Sequence, residues 1–205
     1  MNVPSRSSPS RRTARARSAA PAPVTGLLPM DLWVPGPGIE LLRGVPEELV
    51  DWLTEPGLLT ARIRAARPAP FRLRIVDQRV GFLGRAEMDL LKVSTSACFA
   101  REIELLSGAE PWVFAQTLVP DATLELHPWL AELGDSPLGE TLVGVEGFER
   151  GPFEFAPLPA LHPLAARALR DAGDEPDFLW ARRSWFALRG RRFLVQEVFL
   201  PALAP

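Results

Sequence analysis

The chain has 205 residues, 47% of them hydrophobic, a net charge of −2 and a single cysteine. That length favours one domain, the apolar share is enough for a sizeable core, and one cysteine excludes an intramolecular disulfide. The charge is uneven: the first 25 residues carry Arg6, Arg11, Arg12, Arg15 and Arg17 and no acid, which leaves 18 basic against 25 acidic residues in the remainder. An acidic body argues against a nucleic-acid surface, which needs a basic patch.

Residues 1–25 are rich in Arg, Ser, Pro and Ala and nearly free of large apolar side chains. They cannot bury enough surface to offset chain entropy, so a disordered tail is expected, with a single domain over 26–205. The tail has some likeness to an acid-free organelle transit segment, but a disordered extension is the simpler reading. It lacks the apolar core of a secretory signal. No apolar run in the chain approaches the roughly 18 residues of a membrane span. A cytoplasmic monomer is expected.

The segment "VPEELVDWLTEPGLLTARIRAA" predicts a helix that stops at Pro56-Gly57, with Pro46 in its first turn and two acids at the positive end of the helix dipole. "FRLRIVDQRVGFL" alternates Phe71, Leu73 and Ile75 with Arg72 and Arg74, the pattern of a strand with one wet face. "AREIELLSGAEPWVFAQTLVP" predicts two strands around the turn 107–110. Short helical segments follow in "DATLELHPWLAELG", broken at Pro128, and in "SPLGETLVG". "FERGPFEFAPL" reads as another strand, and 163–171 as a short helix. Two long strands joined at Arg189-Gly190 close the chain. Five or six strands linked by hairpins imply an α+β fold: a single antiparallel sheet with helices packed on one face.

The sequence has no Gly-rich phosphate loop, no G-x-S-x-G elbow and no C-x-x-C. His127 and His162, each followed by proline, do not make a metal site, and Cys98 has no base beside it and reads as a small buried residue. Strand alternation is more informative. In "REIELL", Arg101 shares a face with Ile103 and Leu105, while Glu102 and Glu104 point the other way. In "RRFLVQEVFL", Glu197 shares a face with Phe193, Val195 and Phe199. Burying either charge alone costs several kcal/mol. Two readings stay open: a buried Arg101–Glu197 salt bridge, or an apolar pocket with a cation at one end and a carboxylate at the other. The second suits a flat molecule with an anionic end and a hydroxyl end, because a guanidinium holds a carboxylate in two hydrogen bonds.

The motifs R-E-I-x-L-L, E-P-W with a following T-x-V-P, P-L-G, L-W-x-R-R-S and E-x-F-L-P occur in this order from about Trp52 to the C-terminus. Together they resemble the bacterial chorismate pyruvate-lyase family. The resemblance implies one antiparallel six-stranded sheet with flanking helices. It also implies conversion of chorismate to 4-hydroxybenzoate and pyruvate, the first committed step towards ubiquinone, with no cofactor. By the same resemblance, Arg101 binds the ring carboxylate, Glu197 contacts the ring hydroxyl, and backbone groups at Leu138 and Leu59 touch the ligand. Arg101 and Glu197 are thereby the candidate catalytic residues. One departure stands out. Family members commonly have an arginine before T-x-V-P where this chain has Gln116, a change that bears on how a dianionic substrate is held or on its exit path unless Arg182 or Arg183 compensates.

Two mechanisms are open for such a lyase. In a cyclic retro-ene transfer, the C4 hydrogen moves to the enolpyruvyl methylene and Glu197 orients the hydroxyl. In the other, Glu197 is an acid/base whose acidity the apolar pocket tunes. A rival function is a non-catalytic binding module for an aromatic acid. The effector-sensing domains of GntR-type regulators share this fold by resemblance, but residues 1–45 are too short and Pro-rich for the winged helix that normally accompanies them.

Overall fold

The computed structural model describes residues 32–36, 38, 44–66, 69–170 and 176–203; the expected tail, residues 1–25, lies outside them. Among the described residues, eight strands form one sheet: β1 (Val34–Pro35), β2 (Phe71–Phe82), β3 (Ala97–Ser107), β4 (Glu110–Pro120), β5 (Phe148–Arg150), β6 (Glu154–Pro159), β7 (Phe178–Leu188) and β8 (Arg191–Phe199). Their spatial order is β1-β6-β7-β8-β4-β3-β2, with β5 paired to β7, and every pairing is antiparallel. The expected six strands are therefore corrected to eight. The difference comes from β1, two residues long and too short to leave a periodic trace, and from the segment 148–158, expected as one strand, which divides into β5 and β6.

The hairpins fall where turn chemistry puts them. Arg189 and Gly190 both have positive φ, 47° and 80°, as a two-residue I′ turn demands. In the β3–β4 turn Gly108 has φ 66°. The N-terminal helical segment divides at Pro56-Gly57 into α1 (Glu47–Leu53) and α2 (Leu59–Ala66). The pattern predicts no helix at α3 (Arg85–Leu91), whose seven residues are set by their ends. The Glu87 carboxylate accepts from the Gly84 amide at 2.6 Å, and Lys92 closes the helix with φ 57°. Helices α4 (Asp121–Leu124), α5 (Leu138–Leu142) and α6 (Pro163–Ala168) are single short turns, and a 3-10 turn occupies Pro128–Ala131.

Helices cover both faces, not one as the pattern predicts. On one face, Leu49, Leu53, Leu59 and Ile63 of α1 and α2 pack on Ile103, Leu105, Val113 and Phe199, while Leu138 and Leu142 of α5 pack with Val119 and Phe193. On the other, Leu164, Ala165 and Ala168 of α6 pack on Phe114, Ala181 and Val198, and Leu91 of α3 packs on Cys98, Ala100 and Leu118. Strands β3 and β4 are consequently buried from Ala100 to Ser107 and from Trp112 to Pro120.

Between these apolar clusters a polar row crosses six strands. Asp77, Glu102, Gln116, Gln196, Arg183 and Glu154 are successive cross-strand partners. Gln196 Nε2 donates to Gln116 Oε1 at 3.0 Å, and Gln116 Nε2 donates to Glu102 Oε1 at 2.8 Å. Arg167 of α6 bonds both Glu102 and Asp77, Arg79 also reaches Glu102, and Arg183 pairs with Glu154. Burial pushes the fully buried Glu102 carboxyl up, but the hydrogen bonds from Arg167, Gln116 and Arg79 outweigh it and hold the group below its usual value.

A carboxyl lowered in the folded state adds stability above its unfolded pKa of about 4.3, and that stability is lost as pH falls through the folded value. Glu102→Gln is expected to lower Tm by several degrees at pH 7, because it leaves Arg167 and Arg79 facing a neutral amide. The deficit shrinks towards pH 3. Melting curves from pH 7 to 3 check this; wild-type and variant curves running parallel throughout contradict it.

Candidate active site

Alternation puts Arg101, Ile103 and Leu105 of β3, Ala115 and Thr117 of β4, Val195 and Glu197 of β8, and Arg182, Ser184 and Phe186 of β7 on one face. These residues floor a cavity of about 290 Å³. Its walls come from 56–60 at the start of α2, 137–139 at the start of α5, and Phe148, Arg150 and Phe153 around β5. The volume lies near the lower end of small-molecule sites, about 300–1,000 Å³, and suits a small metabolite. Among the described residues lining it, the charged ones are Arg101, Arg150, Arg182 and Glu197.

The structure brings Arg101 and Glu197 to the same cavity and does not pair them with each other. Arg182 is the direct cross-strand neighbour of Glu197, and its Nε donates to Glu197 Oε2 at 2.6 Å. Arg182 Nη1 donates to the carbonyls of Glu55 (2.8 Å), Leu53 (3.1 Å) and Trp52 (3.3 Å) at the C-terminal end of α1, and the guanidinium lies 4.4 Å from the Phe153 ring centroid. Arg182 thus joins sheet, helix and carboxylate, a role the alternation pattern does not reveal. The hairpin does: Arg182 stands seven residues before Arg189 and Glu197 seven after Gly190, and a two-residue turn sets such positions opposite each other.

Among the described residues, Arg101 has no acid partner. Opposite it lie Thr117 on β4 and then Val195 on β8, so Glu197 is two strands across and two residues along, roughly 12 Å between Cα atoms by standard strand spacing. Arg101 is 1% exposed. Its Nη2 donates to the carbonyls of Gly134 at 2.7 Å and Ser136 at 3.3 Å, while Nε and Nη1 are buried and have no hydrogen-bond partner. Burial pulls the guanidinium below its ordinary pKa. Buried, unpaired charged donors of this kind cost about 1–3 kcal/mol or more, which an anionic guest recovers.

Leu59 and Leu138 both line the cavity, each as the first residue of a helix. Their amides therefore have no acceptor within their own helices and remain available as donors. Gln116 is elsewhere. It lies on the opposite face, in the polar row, beside a second cavity of about 340 Å³ that Arg79 and Arg167 also line. Gln116 therefore takes no part in lining the Arg101 pocket. Arg183 shares that opposite face and is paired with Glu154, so of the two candidate replacements only Arg182 reaches the pocket. Burial pushes the Cys98 thiol up to about 11, with Glu87 and Asp121 adding to it, so it is an inert core residue. His162 Nδ1 accepts from the Leu164 amide and caps α6.

Residues 30–204 match the model of the family described as "Chorismate lyase". The chain belongs to the chorismate lyase family. It is 40% identical over 156 residues to a protein of Dechloromonas aromatica named "Probable chorismate pyruvate-lyase", covering 76% of this chain and 88% of that one. It is 36% identical over 166 residues to a protein of the same name from Shewanella amazonensis, covering 80% and 84%. Among solved structures, PhnF from Mycobacterium smegmatis superposes with a TM-score of 0.53 at 13% identity over 73% of this chain and 66% of that one. The effector domain of PhnF gives 0.50 at 15% identity over 71% and 90%. At such identities the likeness shows the fold alone.

Since Arg101 carries two orphaned donors, Arg101→Met removes an unfavourable burial together with two carbonyl bonds. Its Tm is expected within a few degrees of wild type, whereas Arg182→Met, which strands Glu197 and three carbonyls, is expected to fall by about 10 °C or more. Thermal denaturation of the two variants side by side decides; equal losses contradict the distinction.

Proposed function

We propose that the chain is a chorismate pyruvate-lyase, converting chorismate to 4-hydroxybenzoate and pyruvate on the route to ubiquinone, and that the Arg101–Glu197 cavity is its active site. The observation that carries the reading is the buried Arg101 guanidinium, two of whose nitrogens have no partner, in the lining of an apolar cavity that also holds the Glu197 carboxylate. The ring carboxylate takes the free Arg101 donors, the ring lies among Ile103, Leu105, Ala115 and Phe186, and the C4 hydroxyl donates to Glu197. Amides at Leu59 and Leu138 supply further donors.

Chorismate already holds the atoms of both products. Breaking the C3–O bond leaves the oxygen as the ketone of pyruvate, the C4 hydrogen moves to the enolpyruvyl methylene, and a C3–C4 double bond completes the aromatic ring. Aromatisation drives the step, so the protein's main task is to hold the side chain over C4. Glu197 is ion-paired with Arg182, which makes it a fixed hydrogen-bond acceptor for the hydroxyl. That arrangement favours the cyclic transfer, with Glu197 as an orienting group, over a scheme in which it shuttles protons.

Purified protein incubated with chorismate is expected to release 4-hydroxybenzoate and pyruvate in equal amounts, followed by chromatography. Binding of 4-hydroxybenzoate without turnover is the result that would instead identify a binding module. Glu197→Gln is expected to lose less than about 100-fold in kcat with a pH–rate profile flat from pH 6 to 9. A loss beyond about 1,000-fold together with a limb that disappears in the variant marks acid/base catalysis.

A further inference from the structure

The charges around the cavity exceed what the product needs. Arg101, Arg150 and Arg182 against Glu197 leave the lining at +2. 4-Hydroxybenzoate is a monoanion near neutral pH, since a phenol ionises near 10. Chorismate is a dianion, and its second carboxylate is on the enolpyruvyl group at C3, beside the carbon that bears the hydroxyl. With the hydroxyl on Glu197, the second carboxylate must come to rest near Glu197 as well.

Of the three arginines, Arg101 faces the ring carboxylate and Arg182 is committed to Glu197 and three carbonyls. Arg150 is the remaining one. Its Nη2 donates to the Pro56 carbonyl at 2.7 Å, which ties β5 to the turn between α1 and α2, and its guanidinium lies 4.5 Å from the Phe153 ring centroid. No described residue accepts from its Nε or Nη1. Arg182, whose guanidinium lies 4.4 Å from the same Phe153 ring centroid, is paired with Glu197, so the exposed Arg150 side chain stands at the Glu197 end of the cavity.

The backbone beside Arg150 is held closely. The Gly151 amide donates to the Trp185 carbonyl at 2.8 Å, and Ser184 Oγ donates to the Gly151 carbonyl at 2.7 Å. A Cβ on Gly151 would lie 2.2–2.6 Å from atoms of the Trp185 ring, so the chain can cross the ring there only as glycine. This fixes the start of the Arg150 side chain over the cavity.

We infer that Arg150 is the substrate-specific anchor of the site, binding the enolpyruvyl carboxylate of chorismate and making no essential contact with 4-hydroxybenzoate. The inference rests on the lyase reading above. It also gives the site a direction: once pyruvate has gone, Arg150 has no ligand anion to hold, and the bond to Pro56 is its remaining polar contact.

The test compares substrate with product. In Arg150→Gln, kcat/KM for chorismate is expected to fall about 10- to 100-fold, the usual worth of a charge-assisted hydrogen bond, while the Kd of 4-hydroxybenzoate measured calorimetrically stays within about twofold. Arg150→Lys recovers part of the chorismate loss. Equal losses for both ligands would mean that Arg150 only props the wall, and an unchanged kcat/KM would mean that another group holds the second carboxylate; either overturns the inference. Wild-type protein that fails to convert chorismate sinks the lyase reading instead. In that case the chorismate Kd replaces kcat/KM, and the same difference between dianion and monoanion decides the role of Arg150.

Discussion

Glu197 has one carboxylate to offer, and the sheet assigns it to Arg182. The Arg189-Gly190 turn makes the two direct cross-strand neighbours, so their 2.6 Å contact follows from the hairpin register. Everything else in the cavity depends on that pairing. It holds the end of α1 against β7 through three carbonyls, it fixes the acid at one end of an apolar chamber, and it leaves Arg101 at the other end with no acid partner among the described residues. A fold maximising stability would have matched or removed that guanidinium. Keeping it buried and partly unsatisfied makes chemical sense where an anion is to be bound.

The two faces of the sheet divide the work. One carries the cavity, and the other carries the row from Asp77 to Glu154, in which the described carboxylates and amides are bonded to one another or to Arg79, Arg167 and Arg183. Because neighbouring residues on a strand alternate between faces, this row lies directly behind the site: Glu102 follows Arg101, Gln196 precedes Glu197, and Arg183 follows Arg182. Slipping any of these strands by one residue would turn the row into the cavity and the site residues out of it. The Glu102–Gln116–Gln196 bonds oppose such a slip.

Much of this was legible in the sequence. Alternation placed Arg101 and Glu197 on apolar faces, the motifs placed them in a family, and the turn residues located both long hairpins. Four things were not. The pairing of Arg182 with Glu197 was latent in the hairpin arithmetic, but the charge pattern drew attention to Arg101 as the acid's partner. The opposite facing of Gln116 followed from the same alternation that separates Thr117 from it, yet its place beside a family motif suggested a part in the pocket. The segment 148–158 read as one strand, and neither its division into β5 and β6 nor the place of Arg150 was visible, because a three-residue strand has no period to read and its place is set by packing Gly151 against Trp185. Helix α3 was hidden for a similar reason: it has seven residues, and its end contacts define it more than any amphipathic stripe.

The central claim is that one cavity holds an aromatic acid between an unpaired arginine and an ion-paired glutamate. A crystal structure of the protein with 4-hydroxybenzoate tests it most directly. The account predicts the carboxylate within about 3 Å of Arg101 Nε or Nη1, the hydroxyl within hydrogen-bond distance of Glu197, and the Arg182–Glu197 pair intact. A ligand bound the other way round, or seated in the opposite-face cavity with Arg101 still unpartnered, would contradict it.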